Sequence, residues 1–287
     1  MASNEQDEIK RLRAEYARRE EGGFSKAKYS RFNPVQLFLL QSRERALLHL
    51  LRKHGTTDLS NLSICEIGCG SGGVLQEIQA LGASPDKLSG VDLLYPRLLE
   101  ARFRLPLALL TCADGQSLPF LSNSFDLVLQ FTAFSSILSP QVKQAMAAEI
   151  MRVLQPHGIL IWYDFWLNPT NPQTKGIPPK EIAALFPHCV LEFHKITLAP
   201  PLARRIVPFS WLLAMMLESI KLFNSHYLVY IYAFRQSRTQ SVRDKKPPAM
   251  RVGTKGYTRT NSPFRIECDC SSHKLKRKGE LYGKQKR

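Results

Sequence analysis

The chain has 287 residues, 44% of them hydrophobic, which places it among globular proteins with room for one sizeable core plus terminal additions. No run reaches the roughly 18 uninterrupted apolar residues that a membrane-spanning helix needs, and the first thirty residues are charged rather than signal-like, so a cytoplasmic protein is expected. The formal charge of +16 suggests nucleic acid until it is located: residues 235–287 carry +12 of it, leaving residues 1–234 close to neutral.

Residues 1–24 are dominated by charged side chains with few apolar anchors and read as an extension able to form only a solvent-exposed or frayed helix. After Gly22-Gly23, Asn33 and Pro34 occupy the N-cap and first-turn positions of an amphipathic helix running to about His54, within a segment 25–60 whose Tyr29, Arg31 and Phe32 could fold over a ligand as a lid. From Leu62 strands alternate with helices, the signature of parallel βαβ units. The expected strands are 62–67, 88–93, 107–112, 125–131 and 159–165, with helices at 72–81, 96–104 and 140–154. A helix at 178–185, a strand at 189–197, an apolar helix near 208–222 and a last strand at 226–234 complete a domain spanning 61–234. Beyond Phe234 the composition turns basic and loses periodicity, so 235–287 is expected to be disordered. Such a tail can bind RNA or acidic lipid by counterion release, or be a solvated extension, since its few aromatics form no stacking platform. The six cysteines lack a disulfide framework, and Cys268-x-Cys270-x-x-His273 offers three ligands where structural zinc wants four, so no metal is expected.

The chemistry concentrates between the first strand and the following helix, in Glu66-Ile67-Gly68-Cys69-Gly70-Ser71-Gly72-Gly73. Gly68, Gly70 and Gly73 satisfy the dinucleotide pattern G-x-G-x-x-G, in which the backbone turns tightly and approaches a ligand with no Cβ in the way. Alone, this fits NAD as well as S-adenosylmethionine (SAM). Glu66 discriminates, because an acid at the end of the first strand suits the ammonium of a bound amino acid better than a pyrophosphate. Asp92 ends the second strand about 20 residues on, where a carboxylate accepts both ribose hydroxyls. Asp114 follows the third strand, in Ala113-Asp114-Gly115-Gln116-Ser117-Leu118-Pro119-Phe120, positioned to accept from an adenine amino group. Asp126 reads as a strand-start residue and Cys69 as loop filler.

These segments resemble the class I SAM-dependent methyltransferases, particularly the type 11 family, over about residues 62–165 and more weakly to 234. The resemblance implies a Rossmann-like α/β fold with a seven-stranded, mostly parallel sheet, an antiparallel last strand and helices on both faces. It implies SAM as cofactor, with Glu66, Gly68, Gly70 and Gly72 at the methionine end, Asp92 at the ribose, and Asp114 with Gly115 at the adenine. Gln130 and Phe131 then lie beside the methionine portion and the transferred methyl. Phe131-Thr132-Ala133-Phe134 departs from the Asn-Pro-Pro-Tyr type of motif seen in many amino-methylating nucleic-acid enzymes, which argues against base modification.

The expected reaction is methyl transfer to a small-molecule, lipid or saccharide acceptor, with an RNA methyltransferase using the basic tail and a non-catalytic SAM-binding protein as alternatives. Tyr163, Asp164, His194 and His226 are the candidate bases for a hydroxyl acceptor. Asp164 ranks first because it ends the fifth strand, where open α/β sheets place their ligands. Pro200–Arg205 and the apolar helix after it, with Trp211, Leu212, Met215 and Met216, could form an acceptor pocket with an arginine for a carboxylate or phosphate.

Overall fold

The computed structural model describes residues 2–21, 30–167, 171–233 and 266–268. Along the chain the elements are α1 (Ala2–Glu21), α2 (Pro34–Lys53), β1 (Ile64–Ile67), α3 (Gly73–Ala80), β2 (Leu88–Asp92), α4 (Tyr95–Arg104), β3 (Leu109–Cys112) and β4 (Phe125–Phe131). They continue with α5 (Pro140–Val153), β5 (Leu154–Phe165), α6 (Pro179–Leu185), β6 (Cys189–Leu198), α7 (Pro200–Ile206), α8 (Trp211–Ser219), β7 (Asn224–Ala233) and β8 (Ile266–Cys268). The sheet order is β6-β7-β5-β4-β1-β2-β3-β8. Strands β1 to β5 and β8 pair in parallel, while β7 runs antiparallel to both β5 and β6. The mostly parallel Rossmann-like sheet is therefore present, and the last long strand is antiparallel as expected. The added parallel strand β8 lies within the basic tail, whose other residues, including Cys270 and His273, are outside the described set.

The central strands alternate between two buried faces, as residues two apart in a strand must. Ile64, Leu127, Leu129 and Ile161 point to a core shared with α2, α3 and α4. Cys65, Val128, Leu160 and Trp162 point to the opposite core, shared with α5 and α6 and reached by Leu12 of α1. Asp126 holds the entry of β4 against β1 by accepting from the Ser63 N–H at 2.8 Å.

Local signals set several boundaries. The Asn33 side chain caps α2 by accepting from the Val35 N–H at 3.0 Å with Pro34 in the first turn, and Ser139 caps α5 ahead of Pro140 in the same way. The apolar helix expected near 208–222 is present as α8, confined to 211–219, and a further short helix, α7, precedes it. Pro208 has no N–H to continue a helix, and Ser210 opens the second one by accepting from Leu213 N–H at 3.2 Å. Strand β5 starts at Leu154 rather than 159, with an irregularity opposite β4 between Phe125 and Leu127, because the buried Leu154 side chain returns to the sheet directly from α5. The largest departure is α1: one side of this charged helix, through Glu8, Leu12 and Glu15, is buried against the domain rather than solvated.

Candidate functional site

The loop after β1 is fastened to β2 by the Gly68 and Cys69 N–H groups, which donate to Val91 O at 2.8 and 3.0 Å. Gly68, Gly70 and Gly72 all adopt positive φ, the left-handed region where an L side chain is strained. Close approach adds a second constraint at each of them. A Cβ on Gly68 would lie 2.7 Å from Ala133 Cβ, and one on Gly70 would meet the Arg97 guanidinium at 2.7 Å. Gly72 packs on Leu105 and Ala101 and opens α3, so its constraint comes from the domain and not from the cleft. Cys69 is a buried thiol whose sulfur fills the space above Gly90, in keeping with the reading as filler.

Around this loop lies a cleft of about 910 Å³. It brings together Glu66, Gly68, Gly70, Asp92, Asp114, Gly115 and Phe131 of the residues singled out in the sequence. Three acidic groups therefore stand in succession at the ends of β1 and β2 and just after β3. Glu66 is 2% exposed, and its Oε2 has no hydrogen-bond partner among the described residues. Burial pushes its carboxyl up to about 8, with Arg43 pulling it down and Asp92 pushing it further up. Asp92 accepts from Gly70 N–H at 2.8 Å and Leu94 N–H at 2.9 Å. Burial raises its carboxyl, opposed by Arg97 and by these backbone donors. Asp114 accepts from the Gln116 backbone and side chain at 2.9 and 3.0 Å. Beside it the wall is apolar, made by Leu93, Ile137, Val142 and Met146, with Gly115 lying so close to Met146 that a Cβ would meet it at 2.7 Å.

Three expected residues lie off the cleft lining. Gln130 and Asp164 are fully buried and hydrogen-bonded to each other at 3.1 Å. Asp164 also accepts from the Ser135 N–H at 3.0 Å and its neighbour Phe165 N–H at 2.8 Å, and burial raises its carboxyl. Gly72 is the third. The other candidate bases are also outside the lining. Tyr163 is buried, pushed up to about 12 by desolvation, with its hydroxyl 3.1 Å from Thr197 Oγ1. His226 stacks on Tyr163 with ring centroids 4.7 Å apart, and burial drives it down to about 3. His194 pairs with Glu192 at 2.6 Å.

Several lining residues escape a reading of the sequence. Arg43 of α2 projects over the rings of Phe131 and Tyr163, 5.3 and 5.6 Å from their centroids, and pairs with Glu77. It sits on the same helical stripe as Leu40 and Leu47, and an arginine on an apolar stripe is the signal that was available. Thr132 takes φ +59 directly after β4, a strained conformation for a β-branched residue, at the turn that sets Ala133 against Gly68. Helix α1 roofs the cleft with Ile9, Leu12, Tyr16 and Arg19. Arg97 of α4 lies over the Tyr16 ring at 5.3 Å, and the Tyr16 hydroxyl is 3.2 Å from Ser136 Oγ. Of the expected lid segment, Arg31 lines the cleft and pairs with Glu77 at 3.7 Å, Phe32 points fully into solvent, and Tyr29 is outside the described residues.

The arrangement can hold a ligand with a cationic end at Glu66, a hydroxylated middle at Asp92 and a flat, apolar, hydrogen-bonding end at Asp114 and Met146. No dinucleotide phosphate is needed to explain it, and a phosphate beside Glu66 would disfavour the ionised carboxylate that a cationic group favours.

Residues 65–162 match the family described as "Methyltransferase domain". The chain is 32% identical over 148 residues to phthiotriol/phenolphthiotriol dimycocerosates methyltransferase 1 of Mycobacterium ulcerans, covering 50% of this chain and 52% of that protein. Its identity to the corresponding Mycobacterium leprae enzyme is 33% over 148 residues, covering 50% and 53%. The chain thus spans about half the length of the curated relatives it matches. Among solved structures, a SAM-dependent methyltransferase from Methanosarcina mazei aligns with a TM-score of 0.47 and 16% identity over 64% of this chain and 98% of that one.

Proposed function

We propose, on the premise that residues 65–162 belong to the methyltransferase-domain family, that this chain transfers a methyl group from SAM to a lipid or other small-molecule acceptor. The observation that carries the reading is the unpartnered carboxylate of Glu66 in a cleft where Asp92 and Asp114 follow in order. The acceptor class is supported by the relatives, whose names specify phthiotriol and phenolphthiotriol dimycocerosates, and by the nearly neutral body of the chain.

SAM supplies a methyl group already activated on a sulfonium, with a neutral leaving group. The residues of the chain therefore need mainly to bind, align and exclude water. Glu66 receives the ammonium, which returns its carboxyl to the ionised form. Asp92 spends two of about four lone-pair sites on backbone donors and has the others for the ribose hydroxyls. The slot formed by Leu93, Met146 and Gly115 takes the adenine, with Asp114 accepting from its amino group. Arg43 and Phe131 border the methionine end, and α1 closes the roof against water. Asp164 is a positioning residue in this scheme: through Gln130 and the Ser135 N–H it fixes the segment that follows β4.

Calorimetry with SAM and with S-adenosylhomocysteine tests the reading. Both are expected to bind, and Asp92→Ala is expected to raise Kd at least about tenfold, or about 1.4 kcal/mol. Methyl-labelled SAM added to lipid extracts should leave label in a lipid product. No heat from either compound, or an unchanged Kd in the variant, would end the assignment.

A further inference from the structure

The segment between β6 and β7 carries a run of exposed apolar side chains. Phe209, Leu212 and Leu222 are 89%, 69% and 76% exposed, and Leu213, Met216 and Ile220 are exposed with them. Leu212, Leu213 and Met216 share one face of α8 by i, i+3 and i+4 spacing, and Phe209 and Ile220 flank the two ends of that helix to complete the stripe. The opposite stripe is already satisfied: Ala214 is buried, Leu217 packs beside it, and Trp211 meets Phe38 edge-on at 5.2 Å. The outward stripe is thus a second apolar face on an anchored element, of a kind that soluble monomers rarely expose.

Its charge surroundings select what covers it. Arg204, Arg205 and Lys221 are exposed and have no ion pair among the described residues. The one acid between residues 200 and 222, Glu218, is turned inward to Ser42 and Arg45. A second cavity, of about 630 Å³, opens beside α8 and is lined by Met215 and Lys221 together with Arg45, His49 and Lys195. A symmetric contact with a second copy would set these cations against themselves. An anionic lipid surface complements both features, since acyl chains receive the apolar stripe and headgroup phosphates meet the cations.

We propose that the α7–α8 protrusion docks on an anionic membrane surface, inserting the stripe from Phe209 to Leu222 into one leaflet with Arg204, Arg205 and Lys221 at headgroup level. Among the described residues no helix is long and apolar enough to cross a membrane, so the attachment is interfacial. It is independent of the acceptor assigned above, and its test requires no methyl transfer.

The test uses the full chain with phosphatidylcholine vesicles, with and without phosphatidylglycerol. The basic tail can itself attract anionic vesicles, so the readout has to report insertion. Phe209→Trp should shift to the blue on anionic vesicles and be quenched by brominated acyl chains. Leu212→Gln combined with Met216→Gln removes only exposed groups, and should weaken partition at high salt by about tenfold or more. Arg204→Glu with Arg205→Glu should weaken it at low salt. The proposal is overturned if Phe209→Trp is not quenched, or if the apolar double variant partitions like the parent, which would leave binding to the tail alone. It is equally overturned if the parent is a dimer without lipid and the apolar variant a monomer, because the stripe would then belong to a second copy. SAM affinity, measured on the same preparations, reports separately on the methyltransferase reading.

Discussion

Glu66 combines deep burial with an oxygen that no donor among the described residues satisfies, and this governs how cofactor binding should respond to pH. Burial lifts its carboxyl to about 8, so at pH 7 the ligand-free protein holds it mostly protonated. Between the unfolded value near 4.5 and this folded value the native state binds more protons than the unfolded one, so this group's contribution to stability falls as pH rises through that window. A cationic ligand needs the ionised form. Binding at pH 7 should therefore expel a proton, and affinity should climb as pH rises toward 8 and level off above it. Calorimetry in two buffers of different ionisation enthalpy should show unequal heats for the parent and equal, weaker heats for Glu66→Gln; equal heats for the parent would contradict the placement of the ammonium. At this scale much was legible: an acid before a glycine run, one ending the next strand and one just after the strand that follows can be counted along the chain. The role of the third glycine was not. Gly73 completes the familiar spacing, yet Gly72 holds positive φ and packs against Leu105, while nothing lies within 4 Å of a Cβ on Gly73.

Helix α1 shows how an element of poor local credentials acquires a place in a site. Its apolar residues are few, but Ile9, Leu12 and Tyr16 fall on one side, and charges fasten the rest. Glu8 accepts from the Leu138 and Ser139 N–H groups that begin the α5 cap, and Arg11 donates to Ser136 O at 2.6 Å and Gln173 Oε1 at 3.0 Å. Glu15 is clamped by Arg18 and Arg19, which together hold its carboxyl down at about 2. Burying a leucine is worth roughly 1.5–3 kcal/mol. Leu12→Asp should therefore undock the helix and raise the cofactor Kd by about tenfold or more, while the sheet stays folded. Hydrogen exchange should then be faster in α1 and unchanged in β1, β4 and β5. An unchanged Kd would remove α1 from the site. By contrast, the break between α7 and α8 needed only Pro208 and Ser210, both visible in the sequence, because those residues act on their own backbone.

For the molecule as a whole, the sheet carries the cleft around Glu66 at the ends of β1, β2 and β4, while most of the net charge sits in residues 235–287. That separation predicts that a chain ending at Ala233 keeps its SAM affinity and shows no change in the salt dependence of methyl transfer. Loss of transfer together with a flattened salt dependence would bring the RNA acceptor back into contention. The truncation also removes β8 from the edge of β3, so thermal stability measured alongside separates an exposed sheet edge from a lost binding surface.

Alternating strands and helices, proline and asparagine at a helix start, and acids spaced by one βα unit each are properties of short stretches of chain. They were sufficient to determine the parallel strands and to single out the carboxylates that line the cleft, whereas the antiparallel last long strand was an expectation of the family resemblance. Tertiary structure alone decided that Asp164 is enclosed by Gln130 and Ser135, that Arg43 reaches Phe131, and that a charged N-terminal helix roofs the cleft. Each of those depends on groups distant in sequence competing for the same buried space, and burial is a property of the assembled packing that no single segment possesses.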